Sequence, residues 1–287
     1  MLTAIEKYIV KIDRDSSDYP KEWQALSDKP DCLYAVGNLT LLKGRKLTVV
    51  GSRSTPVNAL KLGARIAEEL SSAFVIVTGT ADGGDTAAIE GALKGGGKII
   101  CLLAGGFSAL PQANAGLLVR VMEKGLLLSP HSFETPVRAF SYEYRNKLLS
   151  ALCEGVLVLG AGEKSGALIT ANYAKKAQKP VFALPYPPNT ATGAGCNALI
   201  KSGGYLVENA EDIAKIVGVE LRKNQPSVTL SPDEEKILSA LKGMTEAHVN
   251  ELSAGSGVPL FKARAVLSAL EVKGLAVAVG GNHYALV

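Results

Sequence analysis

Short β-branched runs alternate with helical stretches from residue 47 to residue 217, and this alternation constrains the fold more than any other feature. The strands predicted from these runs are 47–50, 74–78, 98–103, 126–128, 156–159 and 180–183. The helices predicted between or after them include 58–70, 86–93, 165–177 and 209–217. Strand–helix alternation at this spacing predicts a parallel sheet with right-handed crossovers. We therefore expect an α/β fold: a Rossmann-like, mostly parallel sheet with helices on both faces.

Composition agrees with this fold and limits the kinds of site to expect. The 287 residues include 30 glycines but only 6% aromatics, which suits a buried parallel sheet with tight loops. A net charge of +4 permits contact with phosphates without requiring it. The four cysteines are far apart, and no apolar run is long enough to span a bilayer. We expect a cytoplasmic protein without a metal, a cofactor or a membrane contact.

The pattern changes after residue 222. Ser231-Pro232 has the cap and first-turn residues that start a helix. Three predicted helices (234–241, 247–254 and 259–273) and a predicted hairpin (275–279 with 283–287) follow, an order typical of a winged-helix domain. The expected domains are a Rossmann-like domain at 1–222 with an irregular N-terminal extension (1–45), a linker at 223–230 and a winged-helix domain at 231–287.

The loops that follow the predicted strands are the unusual ones, and parallel sheets bind ligands at that edge. Gly51-Ser52-Arg53-Ser54 joins a strand to a helix, so its amides and the Arg53 guanidinium are suited to an anion such as phosphate. An ordinary turn with a surface arginine explains the same residues equally well. The Thr78–Asp85 loop, with Gly79 in it, is either a second ligand-binding loop or a site of tight helix–strand packing. It is neither a P-loop nor a dinucleotide fingerprint.

Two later segments carry groups that could hold nucleic acid. Tyr142 to Lys147 places aromatics, cations and an amide at the start of a predicted helix, a combination that holds single strands. Taken alone, that segment is better explained as a solvated helix face. Ser165 to Thr170 opens another helix, so Ser165 and the first amides either bind an anion or serve as a plain N-cap.

Catalysis receives little support from the sequence. The histidines are His131, His248 and His283, and the last two fall in the small domain. No nucleophile is followed by a suitable base, and the acids between Asp82 and Glu90 are explained by helix capping and surface charge. We expect a binding protein rather than an enzyme.

Taken in order, these loops resemble the DNA-processing protein A (DprA, also called Smf) family. The family's Gly-Ser/Thr-Arg turn, its Ser-Gly-x-Ala-x-Gly-x-Asp loop and its Arg-Asn-Arg element resemble residues 51–53, 78–85 and 145–147. Its Gly-Ala-Leu, its glycine loop leading to Pro-x-x-Asn, its Ser-Gly-x-Leu-Ile-Thr-Ala and its Gly-x-Asn-x-Leu-Ile resemble residues 91–93, 105–114, 165–171 and 195–200. The chain resembles a divergent member, with Asp82 where the family usually has arginine, and without the N-terminal helical domain of many members.

The resemblance implies a non-catalytic, homodimeric protein that binds single-stranded DNA, protects incoming DNA and loads a RecA-type recombinase during natural transformation. It implies that Arg53, Arg145 and Lys147 contact DNA phosphates. The candidate nucleic-acid-binding residues are Gly51, Ser52, Arg53, Ser54, Thr78, Gly79, Arg145, Asn146, Lys147, Ser165, Gly166 and Thr170. The winged-helix region carries five cations against six acids, so a protein-docking role there is at least as well supported as DNA binding.

Two other classes of function remain open. Similar folds include nucleotide-binding proteins and LOG-type phosphoribohydrolases, which cleave nucleoside monophosphates. Those enzymes carry a Pro-Gly-Gly-x-Gly-Thr motif, which the Gly160–Gly166 loop lacks although Glu163 is present. A protein-interaction scaffold with an empty pocket is the third alternative.

Overall fold

The computed structural model describes residues 5–221 and 230–286. Its chain divides into two compact units, Met1–Lys223 and Asn224–Val287. Residues 223–229 of the predicted linker lie outside the described residues.

The first unit is built around a nine-stranded sheet with the order β1-β2-β6-β5-β4-β3-β7-β8-β9. The strands are β1 (Val10–Asp13), β2 (Cys32–Gly37), β3 (Lys46–Val50), β4 (Val75–Thr78), β5 (Ile99–Leu102), β6 (Leu126–Ser129), β7 (Val156–Val158), β8 (Val181–Ala183) and β9 (Tyr205–Leu206). Seven neighbouring strands of the sheet, in the order β6-β5-β4-β3-β7-β8-β9, are parallel to one another. Strand β2 is antiparallel to both of its neighbours, β1 and β6. The predicted α/β class with a mostly parallel sheet is confirmed.

Seven helices cover the two faces of this sheet within residues 5–221. They are α1 (Val57–Leu70), α2 (Gly84–Lys94), α3 (Ala115–Lys124), α4 (Ala139–Leu152), α5 (Gly166–Lys176), α6 (Ala194–Lys201) and α7 (Ala210–Val217). Side chains of α1, α2, α3 and α7 share one hydrophobic core, and those of α4, α5 and α6 share the other. Successive residues of a strand enter different cores, as with Ile76 and Val77 in β4, because strand side chains alternate between faces.

The N-terminal segment is more regular than the sequence predicts. Instead of an irregular extension, β1 and β2 continue the sheet, with Ala35 of β2 opposite Leu128 of β6. The segment between them is anchored by Trp23, which is fully buried and donates a hydrogen bond from Nε1 to the Leu148 carbonyl at 3.0 Å. The prediction failed because the partner of β2 lies about ninety residues away in sequence, beyond the reach of local patterns.

Strands β3 and β7 are neighbours although three strands separate them in sequence. The chain runs from β3 to β6 toward one edge of the sheet and then from β7 to β9 toward the other. The loops after β3 and β7 therefore diverge at a topological switch point, where open α/β sheets leave a crevice beyond the carboxyl ends of the strands.

The second unit contains three helices and a three-stranded sheet within residues 230–286. Its elements are α8 (Pro232–Leu241), β10 (Ala247–His248), α9 (Val249–Ser256), α10 (Leu260–Val272), β11 (Ala276–Gly280) and β12 (His283–Leu286), with the sheet order β10-β12-β11. Ser231 starts α8 with a capping box, accepting from the Glu234 amide while Glu234 accepts from the Ser231 amide. The predicted helices and hairpin are present. Strand β10 is an additional element, and its two residues are too few for a sequence pattern to predict it. Of the helices described in either unit, none is long and apolar enough to cross a membrane.

Candidate nucleic-acid interface

A cleft of about 310 Å³ opens at the switch point between β3 and β7. Its walls come from the turn after β3, the first turns of α4 and α5, and the start of α2. Seven of the residues predicted to bind nucleic acid line it: Gly51, Ser52, Arg53, Arg145, Asn146, Ser165 and Gly166. Segments nearly 120 residues apart in the chain thus meet at one site.

The turn after β3 rests directly on the glycines that begin α2. A Cβ atom added to Gly84 would lie 2.2 Å from Cα of Gly51, so no side chain fits between the two loops. The Ser52 amide donates to the Gly160 carbonyl at 2.8 Å, which joins the turn to the loop after β7. Close packing of the first turn of α2 against the turn after β3 accounts for glycine at position 84; the sequence predicts either tight helix–strand packing or a second ligand-binding loop here.

Arg53 is the most available cation in the cleft. Its side chain is exposed and makes no hydrogen bond or ion pair with any residue that the structure describes. The guanidinium also borders a smaller hollow lined by the Leu103–Gly106 loop, and Tyr142 is shared by both cavities. Close to Arg53, the hydroxyls of Ser52 and Ser54 lie 2.8 Å apart.

Arg145 lines the same cleft but is only 6% exposed. Its Nε donates to Asn146 Oδ1 at 3.0 Å, and the Asn146 amide donates to the Gly166 carbonyl at 3.1 Å, which links α4 to the first turn of α5. Its Cζ lies 5.9 Å from the centre of the Tyr142 ring. The terminal nitrogens of the guanidinium have no hydrogen-bond partner among the described residues, and burial lowers the pKa of Arg145.

Asp85 is the buried acid nearest to Arg145. Its Oδ2 accepts from the Ala81 amide at 3.2 Å, and burial raises the pKa of Asp85 while the charge of Arg145 opposes that rise. Both groups face Gly79: a Cβ there would lie 2.0 Å from Arg145 Nη1 and 2.4 Å from Asp85 Oδ2. Glycine at position 79 therefore leaves space in which the two charges can approach each other.

Five predicted residues lie outside the cleft lining, and one of them, Ser54, is exposed on the turn after β3. Thr78 and Gly79 are buried beneath it, and Thr170 is buried in α5 with a hydroxyl that has no partner among the described residues. The ammonium of Lys147 forms an ion pair with Asp28, while Tyr144 donates to the Asp28 carbonyl at 2.8 Å. Lys147 was expected to act beside Arg145; the structure instead turns it toward the N-terminal segment, whose position no local pattern revealed.

Two lysines of the second unit are engaged by acids. Lys262 pairs with Asp233 at 3.1 Å, and Lys273 donates to Glu234 at 2.6 Å, which holds the pKa of Glu234 below its usual value. Phe261, at the start of α10, is 78% exposed. In the described part of the chain, no group of three or more histidine, cysteine or acidic side chains could hold a metal ion.

Comparisons with known proteins agree with the arrangement of both units. A family model described as DNA recombination-mediator protein A matches residues 11–218, and a model described as DprA winged helix domain matches residues 222–282. The DNA processing protein DprA of Streptococcus pneumoniae is 36% identical over 68% of this chain and 70% of its own. Protein Smf of Escherichia coli is 32% identical over 96% of this chain and 77% of its own.

Two solved structures are similar in fold as well as in sequence. The X-ray structure of DprA from S. pneumoniae has a TM-score of 0.69 and 32% identity, covering 77% of this chain and 78% of that one. A DNA processing protein A from Helicobacter pylori, described for its unique single-stranded DNA binding mode, has a TM-score of 0.67 and 30% identity. The match covers 73% of this chain and 95% of that one.

Proposed function

The chain belongs to the DNA recombination-mediator protein A family, and from this premise we propose that it binds single-stranded DNA in the cleft between β3 and β7. The observation that carries the proposal is Arg53, an exposed guanidinium without a partner among the described residues, next to the incompletely hydrogen-bonded Arg145. The H. pylori relative, whose structure is described for single-stranded DNA binding, supports the same ligand.

Phosphate is the part of the ligand for which the cleft is best equipped. The planar Arg53 guanidinium can hold a phosphate through two parallel hydrogen bonds, and Arg145 offers further donors from the cleft wall. The N-terminus of α5, with Ser165 as its cap, adds amides and a favourable helix dipole. Phosphate contacts carry no sequence information, so we expect binding without base-specific contacts.

The test is a titration of a fluorescent oligothymidylate at several salt concentrations. Arg53→Ala should weaken binding about tenfold or more and lower the salt slope by about one, because one phosphate contact is lost. Arg65→Ala is the matched control, since Arg65 is also exposed but pairs with Glu69 on α1 and does not line the cleft. Equal binding by wild type and Arg53→Ala would contradict the proposal.

We also propose that the protein binds rather than transforms its ligand. The lining residues include no histidine or cysteine, and Asp85 is buried, accepts a hydrogen bond from the Ala81 amide and lies within the electrostatic influence of Arg145. A nucleotide-processing activity is the alternative, and it is tested by incubating the protein with nucleoside monophosphates. Release of free base that is abolished by Glu163→Gln would favour the phosphoribohydrolase.

The finer proposal is that a homodimer presents bound DNA to a RecA-type recombinase. Strand β9 ends the sheet, and Tyr205 and Leu206 on it are 44% and 48% exposed, as is Ile216 of α7 at 46%. An unpaired strand edge with apolar side chains is suited to pairing with a second copy. The family model's description as a recombination mediator supports delivery to a recombinase.

Light scattering after gel filtration tests the dimer. Leu206→Asp should shift the mass toward the monomer, whereas Val57→Asp, at another exposed apolar position on α1, should not. Recombinase filament growth on protein-coated single strands tests the delivery step. Wild type should accelerate growth, and Arg53→Ala should not; equal rates with both would overturn this role.

A further inference from the structure

We propose that Asp85 is a positioning residue, which holds the Arg145 guanidinium in the cleft wall so that its free donors face the DNA phosphate. The inference rests on the proposed function, since it concerns how the same cleft binds DNA. Its consequence is unusual in sign: removing this acid should weaken DNA binding although it makes the protein more positive.

The geometry leaves Arg145 few other means of support. One edge of the guanidinium is occupied by Asn146, and Gly79 provides the space in which Asp85 approaches from below. Asp85 is itself fixed by the Ala81 amide, at the start of α2. The carboxylate therefore attracts the arginine of α4 across the space left by Gly79, without a hydrogen bond between the two groups.

Burial increases the importance of the attraction between the two charges. Arg145 is 6% exposed and Asp85 4% exposed, and burial disfavours the charged form of each. A buried charge that loses its partner is strongly unfavourable, because little water replaces the lost interaction. Without the Asp85 carboxylate, we expect the guanidinium to leave the wall for solvent and its terminal nitrogens to lose the orientation required by a phosphate.

Asp82 provides a control within the same loop. It is exposed and lines the hollow beside Arg53, so its charge acts on DNA mainly by repulsion. Asp82→Asn and Asp85→Asn change the net charge equally but should act in opposite directions. Repulsion alone would make both variants bind more tightly.

The experiment measures oligothymidylate affinity for wild type, Asp82→Asn, Asp85→Asn, Arg145→Gln and the Asp85→Asn/Arg145→Gln double variant. Asp82→Asn should tighten binding about twofold by relieving repulsion. Asp85→Asn should weaken it about tenfold, within the range of coupling between residues that share a cavity. In the Arg145→Gln background, Asp85→Asn should have no further effect on affinity, which a general loss of structure would not reproduce.

Tighter or unchanged binding by Asp85→Asn would overturn the inference. If Asp85→Asn alone does not fold, the affinity of the double variant is compared with that of Arg145→Gln instead, because the double variant leaves no buried charge without an opposite charge nearby. Tighter binding by the double variant than by Arg145→Gln would show that Asp85 acts only by repulsion and would also overturn it. Either result leaves the proposed function intact if Arg53→Ala still weakens binding about tenfold or more, whereas absence of binding by wild type refutes both.

Discussion

The cleft of the α/β unit is lined by Arg53 and Arg145, whereas the α10 helix of the winged-helix unit carries Lys262 and Arg264 on its exposed surface, and the surroundings of these cations differ. Arg53 has no partner among the described residues, whereas Lys262 in the winged-helix unit is engaged by Asp233. The exposed Phe261 at the start of α10 is better suited to a protein surface than to a phosphate backbone. The comparison supports the proposal that DNA binds where unpaired cations line a cleft, rather than wherever cations are exposed.

The largest effect should come from removing both cleft arginines. Arg53→Ala combined with Arg145→Gln should weaken single-strand binding by about a hundredfold or more, because hydrogen bonds from charged groups are worth roughly 1.5–3 kcal/mol each. Fluorescence anisotropy at low salt measures the change. Retention of most of the affinity would mean that the main binding surface lies outside the cleft, and would contradict the assignment of DNA binding to the α/β unit rather than to the winged-helix unit.

A smaller effect, on stability alone, is expected in the winged-helix unit. Ser231→Ala removes the side-chain cap of α8 and should lower the unfolding free energy of that unit by about 1 kcal/mol. Denaturant unfolding followed by circular dichroism measures it, with the exposed Ser239→Ala on the same helix as control. Single-strand affinity should not change; a parallel loss of affinity would assign DNA binding to this unit as well.

Lys147 tests whether pairing really removes a cation from the DNA-binding surface. Because its ammonium is engaged by Asp28, Lys147→Ala should weaken binding only about two- to threefold, through long-range charge. Asp28→Asn should release the lysine and leave affinity unchanged or slightly improved. A tenfold loss in Lys147→Ala would show that the lysine exchanges Asp28 for a phosphate when DNA binds.

The smallest effect is expected from the cations of α10. Lys262→Ala with Arg264→Ala should change single-strand affinity less than about twofold, since one is paired and the phosphate-binding cleft is in the other unit. The same anisotropy titration applies. A lower salt slope in this variant would mean that the winged-helix unit contributes a phosphate contact and would narrow the difference between the units.

Local patterns were sufficient for most of the fold and for the gathering of the predicted residues at one cleft. Strands such as β3 end at glycine-rich turns, and parallel strands bring such turns to one edge, so the gathering of Arg53, Arg145 and Ser165 could be anticipated. The pairing of β2 with β6 could not, because it joins distant segments. The burial of Arg145 against Asp85 and the diversion of Lys147 to Asp28 were missed for the same reason: each depends on how α4 packs, which no single segment encodes.

The direct contact between Gly51 and Gly84 determines whether the protein or the DNA loses more conformational entropy in the proposed complex. Loops that touch backbone to backbone and share the Ser52–Gly160 hydrogen bond have little freedom left to lose when a ligand arrives. The ordering cost then falls almost entirely on the DNA, whose sugar–phosphate torsions must settle into the cleft. Such a receptor discriminates by the flexibility of the strand, so stiffly stacked purine runs should be held less readily than freely rotating pyrimidine runs.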